Sequence, residues 1–97
     1  MTITREDVIE KIKLVEDPDL FLDIWFLGLI YNIEIQDDVV NIEMTFTTPT
    51  CPSGPHLVSQ VEQRVREIPG VEEVSVRVVF QPVWQASDEV KGLLGML

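Results

Sequence analysis

The fold is decided between Val40 and Pro52, where the sequence reads VNIEMTFTTPTCP. Over its first seven residues, apolar side chains alternate with polar or charged ones, which is the pattern of a strand with one buried face. The alternation stops at Thr47, and Cys51, the only cysteine of the chain, follows between two prolines. From about Ser53 apolar residues recur at helical spacing, so Cys51 lies between a predicted strand and a predicted helix.

This position gives Cys51 a specific chemical setting. The first backbone N–H groups of a helix lack partners within the helix, and the helix dipole presents its positive end there. Both features favour a thiolate, so the thiol is expected to ionise more readily than a free one. Asp17 and Asp19 would oppose this effect if the fold brings them near. Such a thiol can attack an electrophile or bind a metal, and a buried free cysteine can also be chemically inert.

The remaining elements follow on both sides of this stretch. A first helix is predicted from a cap at Thr2 or Thr4 to Asp17-Pro18, because proline disfavours helix in the residue before it. Residues 17 to 28 show no clear period and are predicted to form a turn or helical loop packed on the core. Next come a strand over Leu29–Ile35, with Leu29, Tyr31, Ile33 and Ile35 on one face, a turn at residues 36–38, and a strand over Val40–Phe46. A helix is predicted over Ser53–Glu67, followed by a strand with Val74, Val76, Val78 and Phe80 on one face. The last predicted element is a short helix over Asp88–Leu94, capped by Ser87.

The order helix, strand, strand, helix, strand, short helix predicts an α+β fold. It is a two-layer sandwich in which helices pack on a three-stranded mixed sheet. The 97 residues suit a single domain spanning residues 1–97 with one core, in which we expect Phe21, Trp25 and Phe26. The apolar run Ile24–Ile30 is far shorter than a membrane span, and no signal-peptide pattern precedes it. We therefore expect a cytoplasmic protein without membrane contact.

Charge and cysteine content exclude several function classes. Seven basic and seventeen acidic residues give a net charge of −10, which would repel a phosphate backbone, so nucleic acid is not an expected partner. The same charge favours solubility and presents a negative surface to a basic partner. One cysteine rules out an intrachain disulfide and a four-cysteine metal site within one chain. A cluster would have to be shared with a second chain or completed by other ligands.

Several blocks of the sequence occur together, in order, in one known family. The chain resembles the small iron–sulfur-assembly accessory family that includes SufT, the PaaD-like proteins and the cytosolic MIP-type maturation factors. The TTPTCP block is the specific one, and the others support it by order and spacing. The blocks are Asp17-Pro18-Asp19-Leu20, Leu27-Gly28-Leu29-Ile30-Tyr31, Thr47 to Pro52, and Pro69-Gly70-Val71 with Val74, Val76 and Val78, followed by Pro82, Trp84 and Leu94-Gly95.

The resemblance implies a fold of the iron–sulfur cluster assembly domain type and a non-enzymatic accessory role in cluster assembly or delivery. It implies that Cys51 is the thiol that contacts a cluster or a client protein. Asp17, Asp19, Thr47 and Thr48 are implied as polar residues gathered near that thiol. With one thiol per chain, Cys51 would be a transient or intersubunit metal ligand, and the iron–sulfur cluster would not be stably bound. The partners would be the iron–sulfur assembly machinery or apo client proteins, and a homodimer is compatible with a shared site.

Two positions depart from the pattern of the family. Phe26 stands where an acidic residue usually precedes Leu27-Gly28-Leu29, and Val83 stands in a strand end that usually reads acidic-Pro-Pro-Trp. Two carboxylates of the usual constellation are therefore missing. The cysteine-rich tail of many PaaD-like members is also absent from this sequence.

Three alternatives remain open at the level of sequence. One is an adaptor subunit of a multicomponent oxygenase, in the manner of the PaaD-like proteins. Another is a cysteine-dependent hydrolase or transferase. Such an enzyme needs a general base near Cys51, and the candidate base is His56. The third is a structural module in which Cys51 is inert.

Overall fold

A computed structural model of the chain describes residues 3–18, 20–47, 54–82, 84–85 and 87–94. The order of elements is the predicted one, which confirms the α+β class. The predicted second helix and short last helix are confirmed to within a residue at the ends that the structure describes. The elements are α1 (Arg5–Ile12), β1 (Ile30–Gln36), β2 (Val39–Met44), α2 (Gly54–Arg66), β3 (Glu73–Val78) and α3 (Asp88–Leu94).

The three strands form the predicted mixed sheet in the order β1-β2-β3. β2 pairs antiparallel with β1 and parallel with β3, so it is the central strand. Its burial follows the predicted alternation, with Val40, Ile42 and Met44 on the covered face. β1 and β3 are the two edges of the sheet.

The core lies between one face of the sheet and the helices. α1 contributes Val8 and Ile12, and α3 contributes Val90, all of which are fully buried. α2 contributes a stripe at helical spacing, Leu57, Val61 and Val65. The other face of the sheet is polar and open, and a shallow depression on it is lined by Asn32, Glu34, Asn41, Glu43, Ser75 and Arg77. Among the described residues no helix is long and apolar enough to cross a membrane.

The first helix is shorter than predicted. It begins as expected, with a capping box in which Thr4 accepts from the Asp7 amide and Asp7 accepts from the Thr4 amide. It ends at Ile12, not at Asp17-Pro18. The chain after it extends instead, because Val15 accepts a backbone hydrogen bond from Ile24 and Glu16 forms an isolated antiparallel bridge with Asp23.

Two details of the strands also differ from the prediction. The register of β1 and β2 shifts between Ile30 and Asn32, so Tyr31 has no partner residue and does not continue the face shared by Ile33 and Ile35. β3 ends at Val78, so Phe80 lies beyond the strand and is 42% exposed. The alternation of apolar and polar residues predicts neither the unpaired Tyr31 nor the end of β3 at Val78, because both depend on the partner strand.

The predicted loop over residues 17 to 28 is confirmed, but the aromatic residues of that region do not stay together. Ile24 and Leu27 are buried in the core, and Trp25 and Phe26 pack against it half-buried. Phe21 is 75% exposed and has a φ of 57°, in the left-handed region that bulky residues rarely adopt. The expectation that Phe21 is a core residue is therefore wrong, because the tight turn after Asp17 directs it to solvent.

Candidate functional site at the connection between the second strand and second helix

The connection that carries Cys51 starts where β2 leaves the sheet. Thr45 is buried, and its amide donates to the Leu29 carbonyl at 2.8 Å. Phe46 and Thr47 are half-buried, and α2 begins at Gly54. Residues 48–53, with Thr48 and Cys51, lie outside the described residues. The structure thus describes both ends of the connection, each held by the folded domain.

Phe46 and Gly54 bring these two ends together. A Cβ atom at Gly54 would lie 2.5 Å from Cε2 and 2.7 Å from Cζ of Phe46, so only glycine fits under this ring without a shift. Phe80 packs edge-on against Phe46, with ring centroids 6.1 Å apart. The start of α2 is therefore held against the end of β2 by the ring that precedes Thr47. The sequence predicted Phe46 as the last apolar residue of its strand and Gly54 as part of its helix. β2 ends instead at Met44, and no local pattern indicates the close approach of Phe46 to Gly54.

The first turn of α2 is favourable for an anionic group. It contains Gly54, Pro55 and His56 and no acidic residue. Pro55 has no backbone N–H to leave unsatisfied, and the unpaired amides of a helix start attract negative charge. His56 is exposed and its Nε2 lies 3.4 Å from Nε2 of Gln60, one turn further on. Since Cys51 lies outside the described residues, the pairing of His56 with its thiol stays a hypothesis.

Asp17 organises the start of the loop over residues 17 to 28. The family resemblance implies that its carboxylate lies near the Cys51 thiol. Asp17 is fully buried, and its Oδ1 accepts a hydrogen bond of 3.1 Å from the Leu20 amide. Its own amide donates to the Leu22 carbonyl, and its carbonyl accepts from the Phe21 amide. Asp17 is therefore the inner residue of a tight turn. Asp19 lies outside the described residues, so the gathering of both carboxylates near Cys51, together with Thr47 and Thr48, stays a prediction.

The sequence blocks around Leu27 and Trp84 contact each other in the folded domain. The Trp84 indole Nε1 donates a hydrogen bond of 2.6 Å to the Leu27 carbonyl. Gly28 has a φ of 77°, and a Cβ there would lie 4.0 Å from the same indole nitrogen. The Tyr31 hydroxyl donates to the Pro82 carbonyl at 2.8 Å. The segment after β3 is thus fastened to the segment before β1 by two hydrogen bonds from aromatic side chains.

The described residues contain no group of three or more histidines, aspartates or glutamates placed to hold a metal ion. Cys51 and Asp19 are outside that set, so the fit of this chain to a metal cluster rests on residues that the structure does not describe. The metal-ligand role of Cys51 accordingly remains a prediction.

Three features define the class of small α+β domains found in iron–sulfur assembly. They are the mixed three-stranded sheet, the order of the elements, and a cysteine in the connection between β2 and α2. The chain belongs to the iron–sulfur cluster assembly protein family, whose sequence profile matches residues 5–78. That span includes Asp17, the Leu27-Gly28-Leu29 block and Cys51. The suspected resemblance is confirmed.

Individual relatives agree with this assignment. The chain is 34% identical to an Fe-S protein maturation auxiliary factor of Porphyromonas gingivalis, over 97% of this chain and 93% of that protein. It is 39% identical to the Fe-S protein maturation auxiliary factor SufT of Staphylococcus aureus, over 73% of this chain and 82% of that one. A solved structure of a conserved hypothetical protein from Thermotoga maritima superimposes with a TM-score of 0.85 at 39% identity, covering 98% and 99% of the two chains.

Proposed function

We propose that this protein is a non-enzymatic accessory factor that assembles iron–sulfur clusters or delivers them to client proteins, and that it acts through Cys51. The observation that carries the proposal is membership of the family across residues 5–78, a span that contains the cysteine. Relatives that match most of this chain are named as maturation auxiliary factors. We place this activity in the cytoplasm.

The described geometry supports a role for the connection between β2 and α2. Phe46 holds the start of α2 next to the end of β2, so residues 48–53 leave and re-enter the domain at neighbouring points. In the sequence Cys51 comes three residues before a helix start without acidic residues, and a helix start favours a thiolate near it. Thiolate is also the form that binds iron. In this proposal Cys51 contacts the cluster, or a cysteine of the client, for the time of the transfer.

The neighbouring polar residues have supporting roles. Thr47 lies at the point where the connection leaves β2, and Thr48 follows it. Their hydroxyl groups are hydrogen-bond donors suited to a thiolate or to the sulfide of a cluster. Asp17 and Asp19 would supply the negative charge that iron attracts. Because one thiol cannot hold a cluster alone, other ligands come from the client, the assembly machinery or a second copy.

The test is replacement of the only cysteine in cells that lack the natural protein. Cys51→Ser keeps the size of the side chain and removes the sulfur, so we expect a folded protein and a several-fold lower activity of an enzyme that depends on a [4Fe–4S] cluster. Ser59→Ala, on the exposed side of α2, is the matched control and should restore full activity. Full activity with Cys51→Ser would show that the protein does not act through its thiol.

A second experiment separates the proposal from the nucleophile alternative. The purified chain and its Cys51→Ser variant are reconstituted anaerobically with iron and sulfide, and the bound metal is read by absorbance and native mass. Dithiothreitol in the mixture supplies the thiolate ligands that one cysteine per chain cannot, and we expect bound iron and sulfide only with the cysteine present. His56→Gln should leave this loading and the activity of client enzymes unchanged, whereas a base for a hydrolytic thiol could not be replaced in this way.

A further inference from the structure

The outer edge of β3 is a free strand edge among the described residues. Val79 donates its amide to the Met44 carbonyl, and Glu73 donates to the Asp38 carbonyl, so the odd-numbered residues of this strand face β2. Since successive residues of a strand alternate in direction, the N–H and C=O groups of Val74, Val76 and Val78 face away from β2. Within the described part of the chain no strand pairs with them.

The side chains of β3 are self-complementary. On the open face of the sheet the strand presents Glu73, Ser75 and Arg77, all exposed. If a second β3 runs antiparallel with Ser75 opposite its own copy, Glu73 of each chain lies opposite Arg77 of the other. The same register places Val74 opposite Val76 on the covered face. These valines carry the outward-facing backbone groups, so each pair can exchange hydrogen bonds.

Neighbouring registers lose this match. Moving the centre to Val76 places Ser75 opposite Arg77 and leaves Glu73 opposite Val79. Moving it to Val74 places Glu73 opposite Ser75. Only the register centred on Ser75 satisfies both charges, once on each side of the two-fold axis. Opposite charges directly across a strand pair stabilise it, and like charges destabilise it.

The charged residues are available for this contact. Arg77 is 77% exposed as a side chain, and its ion pair with Glu43 is long, at 3.8 Å. Among the described residues Glu73 forms no salt bridge. The other edge strand, β1, contains Glu34 and no basic residue, so it offers no comparable self-pairing. The second copy would also bury more of the side chains of Val76 and Val78, which are half-buried in one chain.

We propose that β3 is a homodimer interface, in which two copies of this chain join their sheets antiparallel through β3 with Ser75 on the two-fold axis. The contact is short and each chain carries a net charge of −10, so the dimer is weak. β2 and β3 are parallel, so Thr47 lies at the carboxyl end of both strands. The antiparallel pairing therefore places the two Thr47 residues at opposite ends of the joined sheet, about 40 Å apart along the strand direction.

A cross-link tests the register directly. Residues in a non-hydrogen-bonded antiparallel pair have Cα atoms about 4.5 Å apart, within the range of a disulfide. In a Cys51→Ser background, Ser75→Cys should give a covalent dimer under mild oxidation by diamide. Asn41→Cys is the matched control, because Asn41 lies on the same face and pairs with Ser75 on the neighbouring strand, away from the axis. Equal cross-linking of both variants, or none with Ser75→Cys, would overturn the proposal.

Charge exchange tests the chemistry of the contact. Glu73→Arg and Arg77→Glu should each raise the dimer Kd by about tenfold, since each places like charges opposite each other twice. The double variant E73R/R77E restores opposite charges and should dimerise like the wild type, as should an equimolar mixture of the two single variants. Sedimentation equilibrium measures all four, with thermal melts to show that each chain is folded. Unchanged dimerisation in the single variants, or no recovery in the double variant, would refute the interface.

This inference can fail independently of the proposed function. The dimer leaves each Cys51 connection with its own chain, so Glu73→Arg should still support client enzymes in cells. A wild-type chain that stays monomeric at every concentration would remove the dimer and leave the role of Cys51 untouched. Conversely, a Cys51→Ser chain should dimerise like the wild type.

Discussion

The ring of Phe46 covers Gly54 so closely that a β-carbon at Gly54 would lie 2.5 Å from the ring. Phe46 lies two residues beyond the end of β2, on the segment that leads to Cys51, and Gly54 starts the helix that follows. The two residues therefore set how far apart the ends of the cysteine connection lie.

Replacing Gly54 should destabilise the protein although alanine is the better helix former. Gly54→Ala gains at most about 1 kcal/mol of helix propensity, because that value applies to a helix interior and Gly54 is the first residue of α2. It also forces the half-buried Phe46 ring, which Phe80 contacts, to move, and overpacking costs about 1–3 kcal/mol. We expect a net loss of about 1 kcal/mol in the free energy of unfolding, measured by urea denaturation.

The control for this prediction is a second substitution at the same contact. Phe46→Leu shortens the side chain, so in its background Gly54→Ala should become neutral or stabilising. Ser59→Ala, on the exposed side of the same helix, reports the propensity effect alone. If Gly54→Ala stabilises the chain as much as Ser59→Ala does, the ring does not restrict this position.

Trp84→Phe should weaken the attachment of the last segment. The substitution removes the indole N–H that donates to the Leu27 carbonyl at 2.6 Å and leaves that carbonyl without this donor. A loss of about 1 kcal/mol is expected from the hydrogen bond. Trp25→Phe is the matched control, because Trp25 is also half-buried but contacts Arg5 through its ring face at 5.7 Å. Equal losses in both variants would assign the effect to ring size.

Much of the fold could be predicted because the apolar residues of β2 and α2 repeat with clean periods. Val40, Ile42 and Met44 are all buried, as are Leu57 and Val61, as those periods require. The burial of each side chain agrees with its local pattern, so no tertiary contact was needed to interpret it.

The errors arose where a distant partner decides the local structure. Val15 continues the helical spacing of Val8 and Ile12, yet it forms an extended segment because its carbonyl bonds to Ile24. Tyr31 continues an alternating pattern of apolar residues, yet it has no partner on β2, because the pairing of the two strands shifts at this residue. For the candidate site, Cys51 could be proposed from its position and family block, whereas the contact of Phe46 with Gly54 exists only in three dimensions.

The ion pair between Lys11 and Glu67 should make stability depend on pH. Lys11 Nζ lies 3.1 Å from Glu67 Oε1 and joins α1 to the end of α2. The hydrogen bond from Lys11 lowers the pKa of Glu67 below its ordinary value of 4.5, with smaller contributions from the charges of Lys11 and Arg64. A lowered pKa in the folded state means that this stabilisation is present above 4.5 and disappears as the pH falls through the lowered value.

Glu67→Gln tests this effect. The variant should be slightly less stable than the wild type at neutral pH, and the difference should vanish at pH values below the lowered pKa of Glu67. High salt should reduce the difference at neutral pH, because both side chains are partly exposed. Urea titrations at several pH values measure it. A difference that persists in acid would show that packing, and not charge, separates the two chains.

Asp17 allows the structural and functional roles of a buried carboxylate to be separated. Its Oδ1 accepts from the Leu20 amide, and an asparagine oxygen can accept the same bond. Asp17→Ala cannot, so the part-buried Leu20 amide loses its partner at a cost of about 1–3 kcal/mol. We expect Asp17→Asn to be the more stable of the two variants in urea denaturation. If the charge of Asp17 serves the cluster, Asp17→Asn should nevertheless lower client enzyme activity in cells as much as Asp17→Ala does, since both remove the carboxylate. Wild-type activity with Asp17→Asn would instead mean that Asp17 only shapes the turn, and that the function does not depend on its charge.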